Sequence, residues 1–240
     1  MLRLSIGRRT FAPSLAATLP MLLGVALLVW LGAWQLDRAG QSRAQLEAYA
    51  SGAAAPVALP PASRLLPRYT RVRLSGRYLP ERQFLLDNMT HAGVAGYRVL
   101  TPFATDGGDI VLVDRGWLPL GPSRAVLPAV AVGGEARALA GRVDALPRPG
   151  IELGAAPARG PWPRVVAYPR LAELGAALGR QLYPQVVLLD PDAADGYLRD
   201  WHPGGLPPER HVGYAVQWFA LALTLVVGYL FASLRRRDAA

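Results

Sequence analysis

The chain contains no cysteine, which removes disulfides, thiolate metal centres and thiol nucleophiles from consideration. It also contains no lysine, because all 26 basic residues are arginine. A lysine-dependent phosphate loop and a Schiff-base mechanism are therefore excluded. Charged residues make up only 18% of the chain, below the roughly 25% of soluble domains. The three methionines, Met1, Met21 and Met89, are too dispersed to chelate a soft metal ion. Neither a nucleophile elbow, a Ser/His/Asp grouping nor a metal-ligand cluster stands in the sequence, so no catalytic residue is assigned and an enzyme is not expected.

What the chain has in abundance is apolar sequence, at 52% of 240 residues. Residues 10–36 and 211–234 are free of Asp, Glu, Lys and Arg. Each run exceeds the roughly 20 residues that carry a helix across a bilayer. The net charge of +9 is concentrated around them. Arg3, Arg8 and Arg9 precede the first run, and Arg235, Arg236 and Arg237 follow the second. By the positive-inside rule both termini face the cytoplasm and the middle of the chain lies across the membrane. Arginine between the runs is scattered instead of forming a stripe among aromatics, so no nucleic acid is expected as a partner. Gly7-Arg8-Arg9-Thr10-Phe11 resembles a twin-arginine export signal. The first apolar run is longer than a signal core, however, and no small-residue cleavage site follows it, so an uncleaved anchor is expected. Arg3, Arg8 and Arg9 lead directly into that run without a mitochondrial-type presequence, which points to a bacterial inner membrane.

The expected organisation is a cytoplasmic N-terminus (1–14), a membrane helix (15–37), a periplasmic α+β domain (38–210), a second membrane helix (211–234) and a cytoplasmic C-terminus (235–240). With Pro13 and Pro20 in its early part, the first helix is expected to begin near Pro20 and to run to about Arg38. Trp30, Trp34 and Arg38 then recur at i, i+4, i+8 as an interfacial belt. Within the domain, residues 69–79, 83–89, 96–103, 110–118, 137–146 and 185–189 read as strands. Asp106-Gly107-Gly108-Asp109 is a hairpin turn. One short helix is expected over 169–178, stopped by Gly179. Residues 51–67, rich in Ala and Pro, read as an extended linker, and 145–163 as an irregular loop. The fold class is α+β: two transmembrane helices flanking a curved, mainly antiparallel β-sheet domain with one short helix.

Histidine at the mouth of an apolar helix is costly to place there and so marks a candidate site. On a helix, His211 shares a face with Tyr214, Ala215, Trp218 and Ala222. Two readings of His211 stand side by side: an interfacial helix cap with Tyr214 and Trp218 as belt residues, or an axial ligand for a metal macrocycle. Gln35 and Gln217 are expected to bridge the two anchors or to meet lipid headgroups. Asp114-Arg115-Gly116-Trp117 reads as a docking surface or, more conservatively, as a buried ion pair beside a glycine bulge. His91 and His202 read as lone, exposed loop histidines.

Four stretches, in order, carry a family resemblance. They are Leu31-Gly32-Ala33-Trp34-Gln35-Leu36-Asp37-Arg38, Gly96-Tyr97-Arg98-Val99-Leu100-Thr101-Pro102, Val111-Leu112-Val113-Asp114-Arg115-Gly116-Trp117-Leu118-Pro119 and His211-Val212-Gly213-Tyr214-Ala215-Val216-Gln217-Trp218-Phe219. Together they resemble the surfeit locus family of cytochrome c oxidase assembly proteins. The resemblance implies an assembly factor that binds haem a and assists its insertion into the catalytic subunit of a haem-copper terminal oxidase. It implies His211 as the haem-iron ligand, with Tyr214 and Trp218 as further cofactor contacts. Trp34, Gln35, Arg38, Arg115, Trp117 and Gln217 are candidate interface residues. Expected partners are the oxidase catalytic subunit, haem a synthase as a second candidate, and membrane lipid. A structural chaperone that holds the catalytic subunit without carrying haem is the alternative. Direct copper delivery is disfavoured by the missing cysteines and scattered methionines.

Overall fold

The structure, a computed structural model, describes residues 4–6, 9–11, 13–52, 55–147 and 160–236. In chain order the elements are β1 (Leu4–Ile6), β2 (Arg9–Phe11), α1 (Leu15–Ser51), β3 (Val57–Ala58), β4 (Arg71–Tyr78) and β5 (Phe84–His91). There follow β6 (Val94–Thr105), β7 (Ile110–Pro119), β8 (Arg137–Asp144), β9 (Arg164–Val166), α2 (Leu171–Leu178), β10 (Leu182–Leu189), α3 (Pro208–Ser233) and β11 (Leu234–Arg236). They fall into two units, Met1–Glu47 with Pro203–Ala240, and Ala48–His202.

The first unit is a helix pair, with β1, β2 and β11 forming a three-stranded sheet from the chain ends. Both helices are long and apolar enough to cross a membrane. Most of their leucines, valines and phenylalanines are exposed, Leu23 at 72% and Phe231 at 66%. A surface of that kind is stable against hydrocarbon and not against water, which makes this a membrane protein.

Helix α1 differs from the expectation at both ends. It begins at Leu15, ahead of Pro20, and continues to Ser51. A proline six residues into a helix forfeits a single backbone bond near an end whose first amides are unpaired in any case. Beyond Arg38 the sequence is rich in Ala, Gln, Arg, Glu and Leu, all good helix formers. Its last turn is also held in the second unit: Arg142 Nη1 donates to Tyr49 O at 2.7 Å, and the Tyr49 ring meets Tyr69 edge-on at 5.3 Å.

The second unit is an eight-stranded sheet ordered β3-β4-β8-β10-β7-β6-β5-β9. The additional pairing of Gly76, Arg77 and Tyr78 in β4 with Thr105, Ala104 and Phe103 in β6 closes five of these strands into a circuit. All neighbours in that circuit are antiparallel except β7 and β10. Every strand of the circuit contributes to one core: Val72, Leu74, Tyr78, Phe103, Val111, Val113, Leu139, Val143, Tyr183, Val187 and Leu189. Because successive strand residues point to opposite faces, Leu112 leaves this interior and packs outside with Phe84, Leu86, Leu174 and Val186. Strand β7 is thus buried on both faces, whereas β4 shows the half-buried alternation expected for it. Closure removes sheet edges that would otherwise expose unpaired backbone.

The expected six strands, the hairpin at 106–109 and the helix ended by left-handed Gly179 are all present. The linker is a correction. Val57 and Ala58 pair with β4, while Leu59, Ala62 and Leu66 pack against the main core. Leu66 also exchanges two hydrogen bonds with the Gln185 amide. Burial of those leucines outweighs the extended, solvated state that the Ala/Pro composition favours. Of the expected loop at 145–163, residues 148–159 lie outside the described residues; Arg164–Val166 beyond it forms a short parallel strand on β5.

The expected bulge is there as well: two β7 residues, Arg115 and Gly116, oppose Val99 alone, and Gly116 has φ +111°. The ion pair beside it joins Asp114 to Arg98 at 2.5 Å. Burial pushes the Asp114 carboxyl above its ordinary value of 3.8, while Arg98 and the Gly116 amide pull it back. Replacing Arg98 with Met removes the main pull and leaves a buried carboxyl uncompensated, which we expect to cost roughly 3–5 kcal/mol of domain stability. The carboxyl of that variant folds best when protonated, so the loss should be least at low pH. It should grow as pH rises through the ordinary carboxylate range, seen as a wider melting-temperature gap at about pH 7 than at about pH 4.

Candidate functional site

The helix pair is antiparallel and is stitched along its length. Thr18 Oγ1 shares a hydrogen bond with the Tyr229 hydroxyl at 2.5 Å. A Cβ on Gly24 would meet Leu225 Cδ2 at 2.8 Å, and one on Gly32 would meet the Phe219 ring at 2.6 Å. Ala215 and Ala222 on α3 are buried, at 1% and 6% exposure. Small residues let two backbones approach closely where hydrocarbon offers no hydrophobic drive to associate. The small residues on the His211 face are therefore occupied by α1, not left open for a flat ring. The sequence carries a signal for this, since Thr18 and Tyr229 are isolated polar groups in apolar runs and such groups find each other.

At the Gln35 end of this pair, His211 Nδ1 lies 2.8 Å from Gln35 Oε1. An amide oxygen only accepts, so Nδ1 carries the proton and the lone pair resides on Nε2. Nε2 has no hydrogen-bond partner among the described residues. One ring nitrogen is thus oriented by a fixed acceptor and the other is available, the arrangement that metal binding by an imidazole would require. His211 and Trp218 are half-buried, while Tyr214 and Gln217 are exposed. Were a haem bound here, His211 is the residue that would hold its iron through Nε2, with Tyr214 and Trp218 on the same helix as the side chains that would meet the macrocycle. Bound there, haem supplies a redox-active iron whose character is set largely by its axial ligand. Gln35 bridges the two helices directly. Trp34 is exposed and lies 5.4 Å beneath the Arg38 guanidinium. Arg38 also donates to Gln41, which in turn donates to Asp37.

Arg115 and Trp117 belong to the other unit, and burial decides their roles. Arg115 is 2% exposed. It donates to Asp195 O, Val130 O, Ala131 O and Gln83 Oε1, and stacks on Tyr197 and Tyr78. It therefore braces the domain interior and presents no docking surface. Burial lowers its pKa, and burial likewise pushes the Tyr78 hydroxyl up to about 12. Trp117 is half-buried, with its indole N–H on Met89 O at 3.0 Å. His91 is no loop residue: it ends β5 and packs at 5.4 Å from the Trp117 ring. His202 is exposed and bonds the Asp200 carbonyl at 3.0 Å.

Fold and site together define a membrane protein with two helices long and apolar enough to cross a bilayer, a sheet domain, and an oriented histidine between those helices. The SURF1 family model matches residues 22–223. The chain is 33% identical over 102 residues to a SURF1-like protein of Rickettsia bellii, covering 41% of this chain and 42% of that one. It is 31% identical over 102 residues to a SURF1-like protein of Rickettsia felis, covering 41% and 45%. An uncharacterised SURF1-like protein of Mycobacterium bovis is 43% identical over 51 residues, 21% of this chain and 19% of its own length. The matched stretches thus span less than half the length of these curated relatives. With the family model covering most of the sequence, the chain belongs to the SURF1 family.

Replacing Gly32 with Leu places a branched side chain where the Phe219 ring lies. We expect this to destabilise the helix pair by about 1–3 kcal/mol, as overpacking does. Phe219→Ala in the same chain should recover most of the loss, measured by thermal unfolding in detergent.

Proposed function

We propose that this chain is a non-enzymatic assembly factor for a haem-copper terminal oxidase, binding haem a through His211 and assisting its insertion into the catalytic subunit. The observation that carries this reading is the 2.8 Å bond from His211 Nδ1 to Gln35 Oε1. It presents Nε2 as a ligand without tying it to any other group. Membership of the SURF1 family, together with the oxidase-assembly role the resemblance implies, supports the choice of client. Holding by a single histidine would suit a carrier, because a cofactor so held could be competed for by the receiving protein. In this reading the protein sits in a bacterial inner membrane, with both termini cytoplasmic and the sheet domain periplasmic. The arginines flanking the two apolar runs support that orientation. The catalytic subunit is the principal partner, haem a synthase a second, and lipid surrounds the helices.

The test is an optical spectrum of protein purified from cells that make haem a. The parent should show a Soret band, and His211→Ala should lose it while still forming a complex with the oxidase catalytic subunit. Gln35→Leu should weaken haem retention by about 10–100-fold, the usual effect of removing a group that orients a metal-binding histidine. A featureless Soret region in the parent, with haem a plentiful, overturns the carrier reading and leaves the haem-free chaperone.

A further inference from the structure

The stripe of α1 that holds His211 makes a second contact seven residues further on. Ser42 Oγ donates to the carbonyl oxygen of Leu206 at 3.0 Å. Seven residues are nearly two full helical turns, so Gln35 and Ser42 lie on one side of α1, about 10 Å apart along its axis. Leu206 stands in a segment that forms neither helix nor strand, so its carbonyl has no ladder partner. The Ser42 hydroxyl supplies one.

The six residues from Leu206 to His211 transmit that contact with little slack. Pro207 and Pro208 have φ locked by their rings, and Leu206 and Pro207 are each restricted again by the proline that follows them. Pro207 sits at φ −65° and ψ 151° as the residue preceding α3, with Pro208 in the first turn of the helix. Arg210 N donates to Pro207 O at 3.0 Å and closes that turn. Holding Leu206 O therefore fixes where α3 begins, and His211 is the fourth residue of α3. An unrestrained lead-in would let the first turn fray or shift, as helix ends do.

We propose that Ser42 is a positioning residue for His211: with Pro207 and Pro208 as a stiff lever, its bond to Leu206 O sets the imidazole where Gln35 alone selects its tautomer. The importance of that tautomer rests on the haem-binding reading, but the positioning can be measured without haem. The chain has only three histidines, so the ring nitrogens of His211 can be assigned by nitrogen NMR against His211→Ala. The parent should show the Nδ1–H tautomer almost alone. In Ser42→Ala the tautomer ratio should shift by about tenfold toward Nε2–H, on the scale of one lost hydrogen bond. Ser42→Thr keeps a hydroxyl and should restore the parent spectrum. Ser51→Ala, whose hydroxyl bonds Ala48 O of its own helix, should leave it unchanged. A Ser42→Ala spectrum identical to the parent, an equal shift in Ser51→Ala, or failure of Ser42→Thr to rescue overturns the proposal. A missing Soret band in the parent would overturn haem carriage instead and leave the tautomer result to judge the positioning role by itself.

Discussion

One hydrogen bond between an amide and an imidazole organises the candidate site. In hydrocarbon or at its border, an unpaired Gln or His is expensive, so each side chain gains most by finding the other. Because the amide presents its oxygen, the bond also selects which ring nitrogen keeps a lone pair. That selection depends on close approach of the helices, and the approach depends on Gly32, Ala215 and Ala222 having almost no side chain. These small residues thus serve to bring Gln35 to His211.

A parallel rule governs the two most deeply buried charges of the sheet domain, Arg115 and Asp114, which are each met by specific partners. Arg115 carries its charge into the interior and is met by carbonyls, an amide oxygen and two tyrosine rings. Asp114 is met by Arg98 and by the amide of Gly116. Charges so enclosed contribute to keeping one strand register, since any slip would strand them without partners. The Asp114-Arg115-Gly116-Trp117 stretch is therefore accounted for by the folding of β7 against β6, and the interface reading of Arg115 has no surface left to act through.

Much of the architecture is legible in the sequence because it rests on local periodicity. Two charge-free runs announce the long apolar helices, alternation announces β4 and β8, and Gly179 announces the end of α2. Segments of two or three residues, such as β3 and β9, carry no period and become strands only because a neighbour offers an edge. Helix α1 runs thirteen residues past its expected end at Arg38 because Tyr49 has a place to dock, which composition does not record.

By itself the sequence determined the two long apolar helices, the six longer strands, the turn at 106–109 and which residue types could ligate a metal. Tertiary structure alone decided that β4 closes onto β6, that Asp114 pairs with Arg98, and that Gln35 meets His211 across 176 positions of chain. The reason is one of range. Period and turn chemistry act over a few bonds and leave their mark in neighbouring letters, whereas the partner of a buried polar group is set by which distant segments share a face after the chain has folded.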